Sequence, residues 1–97
     1  MGRIEERLVE LGSPLPELAK PVAAYVPAVV SGNLVFTSGQ LPFVSGSLPA
    51  TGKLGATVSP EDGKAYARQC ALNALAAVKS VIGDLDRVTR IVKLVGF

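Results

Sequence analysis

The chain has 97 residues, 48% of them hydrophobic, and a formal net charge of +2 from ten Lys and Arg against eight Asp and Glu. This length predicts one domain, residues 1–97, and without a Lys/Arg cluster there is no reason to expect a nucleic-acid partner. One cysteine and no histidine exclude an internal disulfide and argue against a metal site, so we expect no metal and no other cofactor. The apolar runs are far shorter than the ~20 residues of a membrane span. We therefore expect a cytoplasmic protein whose apolar surplus covers an interface between chains.

The chain begins with a predicted surface helix. In residues 3–11 the apolar side chains recur at helical spacing and charged residues fill the other positions, which is typical of a solvated helix. Gly12 is placed to end it. We interpret residues 1–12 as an N-terminal helical segment, followed by a proline-rich, extended connector over residues 13–24.

A β-hairpin is predicted next. The β-rich runs 26–31 and 34–38 flank Gly32-Asn33, a dipeptide of the kind that joins hairpin strands. With this turn, Val29 lies opposite Phe36 and Pro27 lies opposite Ser38.

The hairpin register also gives a prediction about two hydroxyl groups. Tyr25 lies two residues before Pro27, so an extended chain places it on the same face, diagonal to Ser38. We therefore expect the Tyr25 and Ser38 hydroxyls to lie close together at an edge of the sheet that faces another subunit. From these residues alone, the favoured interpretation of Tyr25 is a core residue with its hydroxyl at the edge.

The second half predicts a loop, a long helix and a strand. Residues 41–58 are rich in Gly and Pro and form a loop, with a short strand around Ser47-Leu48. Ser59 is the expected N-cap of a helix over residues 60–82. The face expected to pack on a sheet consists of Ala67, Ala71, Ala74, Leu75, Val78 and Ile82. The β-branched run 88–95 predicts a further strand, and the order of elements predicts an α+β fold.

Several of these segments resemble one protein family. The block Ser31-Gly32-Asn33-Leu34-Val35-Phe36-Thr37-Ser38-Gly39-Gln40-Leu41-Pro42, preceded by Ala24-Tyr25-Val26-Pro27, resembles the RidA (YjgF, endoribonuclease L-PSP) family. The helix segment 67–75 and the strand 88–95 are similar too. The N-terminal helix and the long Gly/Pro loop resemble a subgroup with a longer N-terminus, which implies that residues 1–12 are an N-terminal extension. The resemblance implies a chorismate-mutase-like α+β fold, assembled as a barrel-like homotrimer with a ligand pocket between subunits. It also indicates that the domain's C-terminal helix and strands are missing from this chain, which we expect to be truncated.

The resemblance also implies a site and a reaction. Studied members hydrolyse enamines and imines to 2-oxo acids and ammonia, so a small carboxylate-bearing metabolite is the implied partner. Tyr25, Ser38 and Gly39 match pocket-lining residues of the family, with the Gly39 N–H directed at the ligand. The family's carboxylate-binding arginine, a cysteine and a water-ordering glutamate match no residue here, so the catalytic residues are unknown. We expect a polypeptide of these 97 residues alone to lack imine deaminase activity.

The sequence also allows two other functions. A trimer that binds a small molecule without catalysis would keep the same pocket, and an endoribonuclease or translation inhibitor is a third, weaker hypothesis. Cys70 is expected to be a buried inert thiol, and Asn73 is expected to be an amide on the helix surface or at an interface. Gln40 is expected at most to form a hydrogen bond at the strand end.

Overall fold

The computed structural model describes residues 2–18 and 25–97. In chain order its elements are helix α1 (Arg3–Glu10), strands β1 (Ala28–Ser31) and β2 (Leu34–Thr37), helix α2 (Pro60–Ile82) and a 3-10 helix (Leu85–Arg87). The two strands form an antiparallel sheet, and α2 packs against both of them. The predicted α+β class, the hairpin and the long helix are confirmed.

The hairpin has the predicted register. Val29 pairs with Phe36 and Ser31 pairs with Leu34, and Gly32 in the connecting turn adopts a positive φ of 59°. Ala28 is buried, whereas Val29, Leu34 and Phe36 are exposed and share the opposite face of the sheet. Helix α2 therefore covers one face of the hairpin and leaves an apolar face open.

Helix α2 has the predicted bounds and caps. The Ser59 hydroxyl accepts a hydrogen bond from the Asp62 N–H at 3.1 Å, Pro60 stands in the first turn, and Gly83 ends the helix with φ of 85°. The predicted packing face was wrong, because Ala67 and Ala71 are exposed. The buried residues are instead Leu72, Asn73, Ala76 and Ala77. The helix is apolar on more than one side, so its sequence did not decide which side meets the sheet.

The segments on either side of α2 contain less β-structure than predicted. Residues 88–97 follow the 3-10 helix without a strand, so the strand predicted at 88–95 was wrong for the described chain. A strand requires a neighbouring ladder, and no described segment pairs with this run. In the 41–58 loop, Ser47 forms only an isolated bridge with Val44, rather than a short strand.

Helix α1 is confirmed to within one residue and is attached to the end of α2. It ends in a Schellman motif, in which the Ser13 N–H donates to the Leu8 carbonyl at 2.9 Å and Gly12 has φ of 73°. Its buried residue is Glu5, which forms an ion pair with Lys79 of α2 at 2.7 Å. Within residues 2–18 and 25–97, no helix is both long and apolar enough to cross a membrane.

Candidate functional site

Ser38 is fixed at the end of the hairpin. Its N–H donates to the Pro27 carbonyl at 2.9 Å, and its hydroxyl donates to the same oxygen at 3.3 Å. This contact extends the strand pairing by one step beyond Ala28 and Thr37, as the predicted pairing of Pro27 with Ser38 requires. Because two bonds hold the half-buried serine, its position follows directly from the hairpin.

Gly39 brings exposed backbone to this end of the hairpin. A Cβ added at Gly39 would meet no described atom within 4 Å, so the space beside its Cα is open. The next residue, Gln40, donates from its side-chain amide to the Ser38 carbonyl at 3.2 Å and to the Ser38 hydroxyl at 3.4 Å. The segment can therefore present main-chain and hydroxyl groups to a ligand, since an exposed glycine permits close approach of another molecule.

Tyr25 lies outside the regular part of the hairpin. It occupies a bend three residues before β1 begins, and 41% of its surface is exposed. The strand register ends at Ala28, so alternation along the strand does not reach this side chain. The closeness of the Tyr25 and Ser38 hydroxyls stays a prediction, as do the ligand-binding roles of Tyr25, Ser38 and Gly39.

The expectation that Asn73 is a surface or interface amide was wrong within this chain. Asn73 is only 2% exposed, and its side-chain N–H groups donate to the carbonyls of Leu41 and Phe43 at 3.0 and 3.1 Å. Its oxygen accepts a hydrogen bond from the Gln69 amide at 3.1 Å. The spacing of Gln69 and Asn73, four residues apart on a helix, was the available signal for a coupled amide pair.

The polar groups described at the end of the hairpin are uncharged. Cys70 is half-buried rather than buried as expected, and this partial burial raises the pKa of its thiol above the usual range, which favours the protonated form. No three His, Cys, Asp or Glu residues of the described chain are grouped so as to hold a metal ion. The groups found at the end of the hairpin are the Ser38 hydroxyl, the Gln40 amide and peptide N–H groups.

A cavity of about 360 Å³ lies elsewhere, between α1, the connector and α2. Glu5, Leu15, Pro16, Lys79 and Ser80 are among its lining residues, and none of the predicted site residues lines it. The residues predicted to bind a ligand therefore lie at the hairpin and not at this cavity.

Comparison with protein families matches residues 5–97 to the family described as "YjgF/chorismate mutase-like, putative endoribonuclease". The match covers nearly the whole chain. The chain belongs to this family. The resemblance drawn from the Ser38-Gly39-Gln40 block and its neighbours is thus confirmed.

Individual relatives agree with YjgF-family membership. "Protein TCP17" of Trypanosoma cruzi is 44% identical over 93 residues, which are 96% of this chain and 58% of the relative. A crystal structure described as a putative endoribonuclease from Shewanella oneidensis MR-1 matches with a TM-score of 0.83 and 40% identity, over 90% of this chain and 58% of that one. The Agrobacterium tumefaciens protein Atu1372, described as of unknown function, matches with a TM-score of 0.80 and 45% identity, over 91% and 54%.

These similarities establish the fold beyond the two-stranded sheet described above. At 40% and 45% identity the structural neighbours share both sequence and architecture with this chain. The chorismate-mutase-like α+β fold of the YjgF family is therefore confirmed. The chain spans a little more than half the length of the relatives it matches.

Proposed function

We propose that the protein containing this chain hydrolyses small 2-imino or enamine carboxylates to 2-oxo acids and ammonia. An enamine first gains a proton at its β-carbon and loses one from nitrogen, which gives the imine. Water then adds to the carbon of the C=N bond, and one of its protons passes to nitrogen. The hydroxyl so formed gives its proton to nitrogen as C=O forms and the C–N bond breaks, so that ammonia leaves. The observation that carries the proposal is the fixed Ser38 hydroxyl beside the exposed Gly39 backbone, in the segment that matches the family's pocket.

The residues at this site are suited to orienting a ligand. In the proposal the Gly39 N–H donates to a ligand oxygen, and the hydroxyls of Ser38 and Tyr25 hydrogen-bond to its polar atoms. Ser38 is not the attacking group, because its hydroxyl donates to a backbone carbonyl, which cannot act as the base that a serine nucleophile needs. Water is therefore the proposed nucleophile, and the family resemblance assigns the binding of the carboxylate to an arginine.

The proposal includes a homotrimer and a cytoplasmic location. The exposed apolar face of the hairpin, formed by Val29, Leu34 and Phe36, supports assembly with further copies. A pocket between subunits would combine the end of one hairpin with residues of a neighbouring copy. Light scattering on the purified protein should give three times the chain mass, and a monomer at micromolar concentration would contradict this part of the proposal.

Endoribonuclease activity is the second candidate. It is favoured by the description of the matched family and by that of the Shewanella oneidensis structure. The chain has no histidine, so an RNA-cleaving site built from these residues would lack the side chain that most often serves as a general base near neutral pH. For this reason imine hydrolysis is the preferred proposal.

The test is release of ammonia and 2-oxo acid from 2-aminoacrylate that a second enzyme generates in the assay. The purified protein should accelerate release above the spontaneous rate. Tyr25→Phe and Ser38→Ala should each slow it by on the order of 10- to 100-fold, because each removes a hydroxyl that orients the ligand. Ser31→Ala, an exposed serine at the other end of the hairpin, is the matched control and should keep the wild-type rate.

The same preparation distinguishes the alternatives. Release at the spontaneous rate together with cleavage of a single-stranded RNA would replace the proposal by the endoribonuclease. Binding of 2-oxobutanoate without turnover of 2-aminoacrylate or RNA would indicate a protein that binds small carboxylates without catalysis.

A further inference from the structure

Residues 38–41, the segment that contains Ser38 and Gly39, are held by hydrogen bonds at both ends. On one side, two hydrogen bonds tie Ser38 to Pro27. On the other, the Leu41 carbonyl accepts both the Asn73 amide at 3.0 Å and the Phe43 N–H at 2.8 Å, which closes a tight turn around Pro42. Between these anchors only Gly39 and Gln40 remain.

Asn73 is the anchor that comes from another element. Helix α2 follows the 41–58 loop in the chain, yet one buried side chain of the helix binds two carbonyls at the start of that loop, those of Leu41 and Phe43. Both N–H groups of the amide are used, and its oxygen is oriented by Gln69. The side chain therefore has one arrangement that satisfies all its polar atoms, which a buried amide requires.

An asparagine at this position needs a reason beyond helix formation. Asparagine is a poorer helix former than alanine or leucine, and the buried positions beside it, Leu72, Ala76 and Ala77, are apolar. An apolar residue would complete that face without needing hydrogen-bond partners. What only the amide contributes is a fixed distance between α2 and the carbonyls of Leu41 and Phe43.

We propose that Asn73 is a positioning residue for the site, one that sets the direction of the Gly39 N–H relative to Ser38, which the hairpin already fixes. Glycine has the widest backbone freedom of any residue, so the orientation of Gly39 depends on the anchors beside it more than that of another residue would. The identity of the ligand rests on the function proposed above. The role of Asn73 in fixing the backbone beside Gly39 does not depend on which ligand binds.

The first test uses ¹H–¹⁵N spectra and amide hydrogen exchange of the protein containing this chain. Asn73→Ala should shift the Gly39 and Ser38 amide resonances and accelerate exchange at Phe43 roughly 10-fold, because its turn loses the bonds that fix it. Gln69→Ala keeps both donors of Asn73 and should produce smaller shifts of the same amides. Leu72→Ala is the control for lost stability, since it removes buried apolar volume next to Asn73 and should leave these shifts unchanged.

The second test measures kinetics with 2-aminoacrylate and binding of 2-oxobutanoate. Asn73→Ala should lower kcat/KM about 10-fold or more and weaken 2-oxobutanoate binding, whereas Leu72→Ala should keep both near wild type. Unchanged Gly39 and Ser38 resonances in Asn73→Ala, or wild-type kinetics in an active protein, would overturn the proposal. If the wild type shows no turnover, the function proposed above fails, and the resonance shifts still decide the role of Asn73.

Discussion

The two helices of this chain begin in different ways. Helix α2 is capped by its own sequence, because the hydroxyl of the preceding Ser59 accepts the Asp62 N–H. Helix α1 follows Gly2, which has no side chain to cap it, and receives a carboxylate from the far end of the chain. The N–H groups of Arg3 and Ile4 each donate to an oxygen of Asp86 at 2.8 Å.

The N-cap of α2 is therefore formed by residues close in sequence, whereas the N-cap of α1 depends on a tertiary contact. A cap within the sequence works in any context, so α2 could be predicted to the residue. The cap on α1 exists only when the 3-10 helix Leu85–Arg87 lies against it, and the Glu5–Lys79 ion pair depends on the same docking. We therefore expect α1, and not α2, to be lost first when contacts between the elements are weakened.

The largest loss of stability is expected from a substitution in the 3-10 helix, where it contacts both α1 and α2. Leu85 is only 1% exposed, and the 3-10 helix that carries it packs against both α1 and α2. Leu85→Ala should lower the free energy of unfolding by about 2–5 kcal/mol, through lost burial and the cavity left behind. Chemical denaturation measures this loss. Leu94→Ala, the same change at an 87% exposed position, should cost less than about 0.5 kcal/mol, and equal losses would refute the central role of Leu85.

A smaller loss of stability is expected when the ion pair that holds α1 on α2 is removed. Lys79→Met leaves the mostly buried Glu5 carboxylate without its partner at 2.7 Å. Because the lysine itself is 41% exposed, the expected loss is about 1–2 kcal/mol, confined to the docking of α1. Faster amide exchange in α1 than in α2 would show this. Lys64→Met, on an exposed lysine of α2, is the control, and a similar change there would contradict the assignment.

Removal of the N-cap of α2 should lower the free energy of unfolding by about the same amount or slightly less. Ser59→Ala removes the acceptor of the Asp62 N–H and should cost ~1 kcal/mol, measured by denaturation. Ser59→Asp offers a carboxylate at the same place and should stay near wild type. Fraying of α1 rather than α2 in Ser59→Ala would break the distinction drawn between the two helices.

The smallest effect is a pH dependence confined to α1. The N–H groups of Ile4 and Arg3, and the nearby Arg3 charge, lower the pKa of Asp86 below its usual value. A carboxyl whose pKa is lower in the folded state stabilises that state above its unfolded pKa, and this contribution is lost as pH falls through the folded value. The Arg3 and Ile4 amide resonances should therefore move in acid, below about pH 4.

Asp86→Asn is the control for this titration. It removes the titrating group, so the shift of the Arg3 and Ile4 resonances below about pH 4 should disappear, although other carboxyls still titrate. An unchanged titration in Asp86→Asn would mean that a carboxyl other than Asp86 governs the start of α1.

The hairpin and the strand predicted at 88–95 show what local pattern can and cannot predict. The Gly32-Asn33 turn fixes which residues pair, so Val29 and Phe36 were matched correctly from the sequence. The β-branched run at 88–95 has equally strong strand character, yet it pairs with nothing in the described chain. Strand propensity describes how a segment fits into a sheet and does not supply the neighbouring strand.

Part of the geometry around the candidate site was predicted. The hairpin register predicted the pairing of Ser38 with Pro27, and the family motif made Ser38 and Gly39 candidates for ligand binding, because both signals depend on residues near them in sequence. Asn73 was missed, although it holds carbonyls 30 and 32 residues away. A mid-helix asparagine has the same sequence pattern whether it faces water or a buried loop, so only its packed environment distinguishes the two.

By itself, the sequence determined the helix bounds of α2, the hairpin turn and register, and membership of the YjgF family. These depend on short-range chemistry, namely a capping hydroxyl, a turn that tolerates positive φ and an ordered motif. The tertiary structure alone decided which side of α2 is buried, that Asn73 holds the segment beside Gly39, and that Asp86 caps α1. Such contacts join residues far apart in the chain, and they form only when burial removes the competing water and leaves each polar group one available partner.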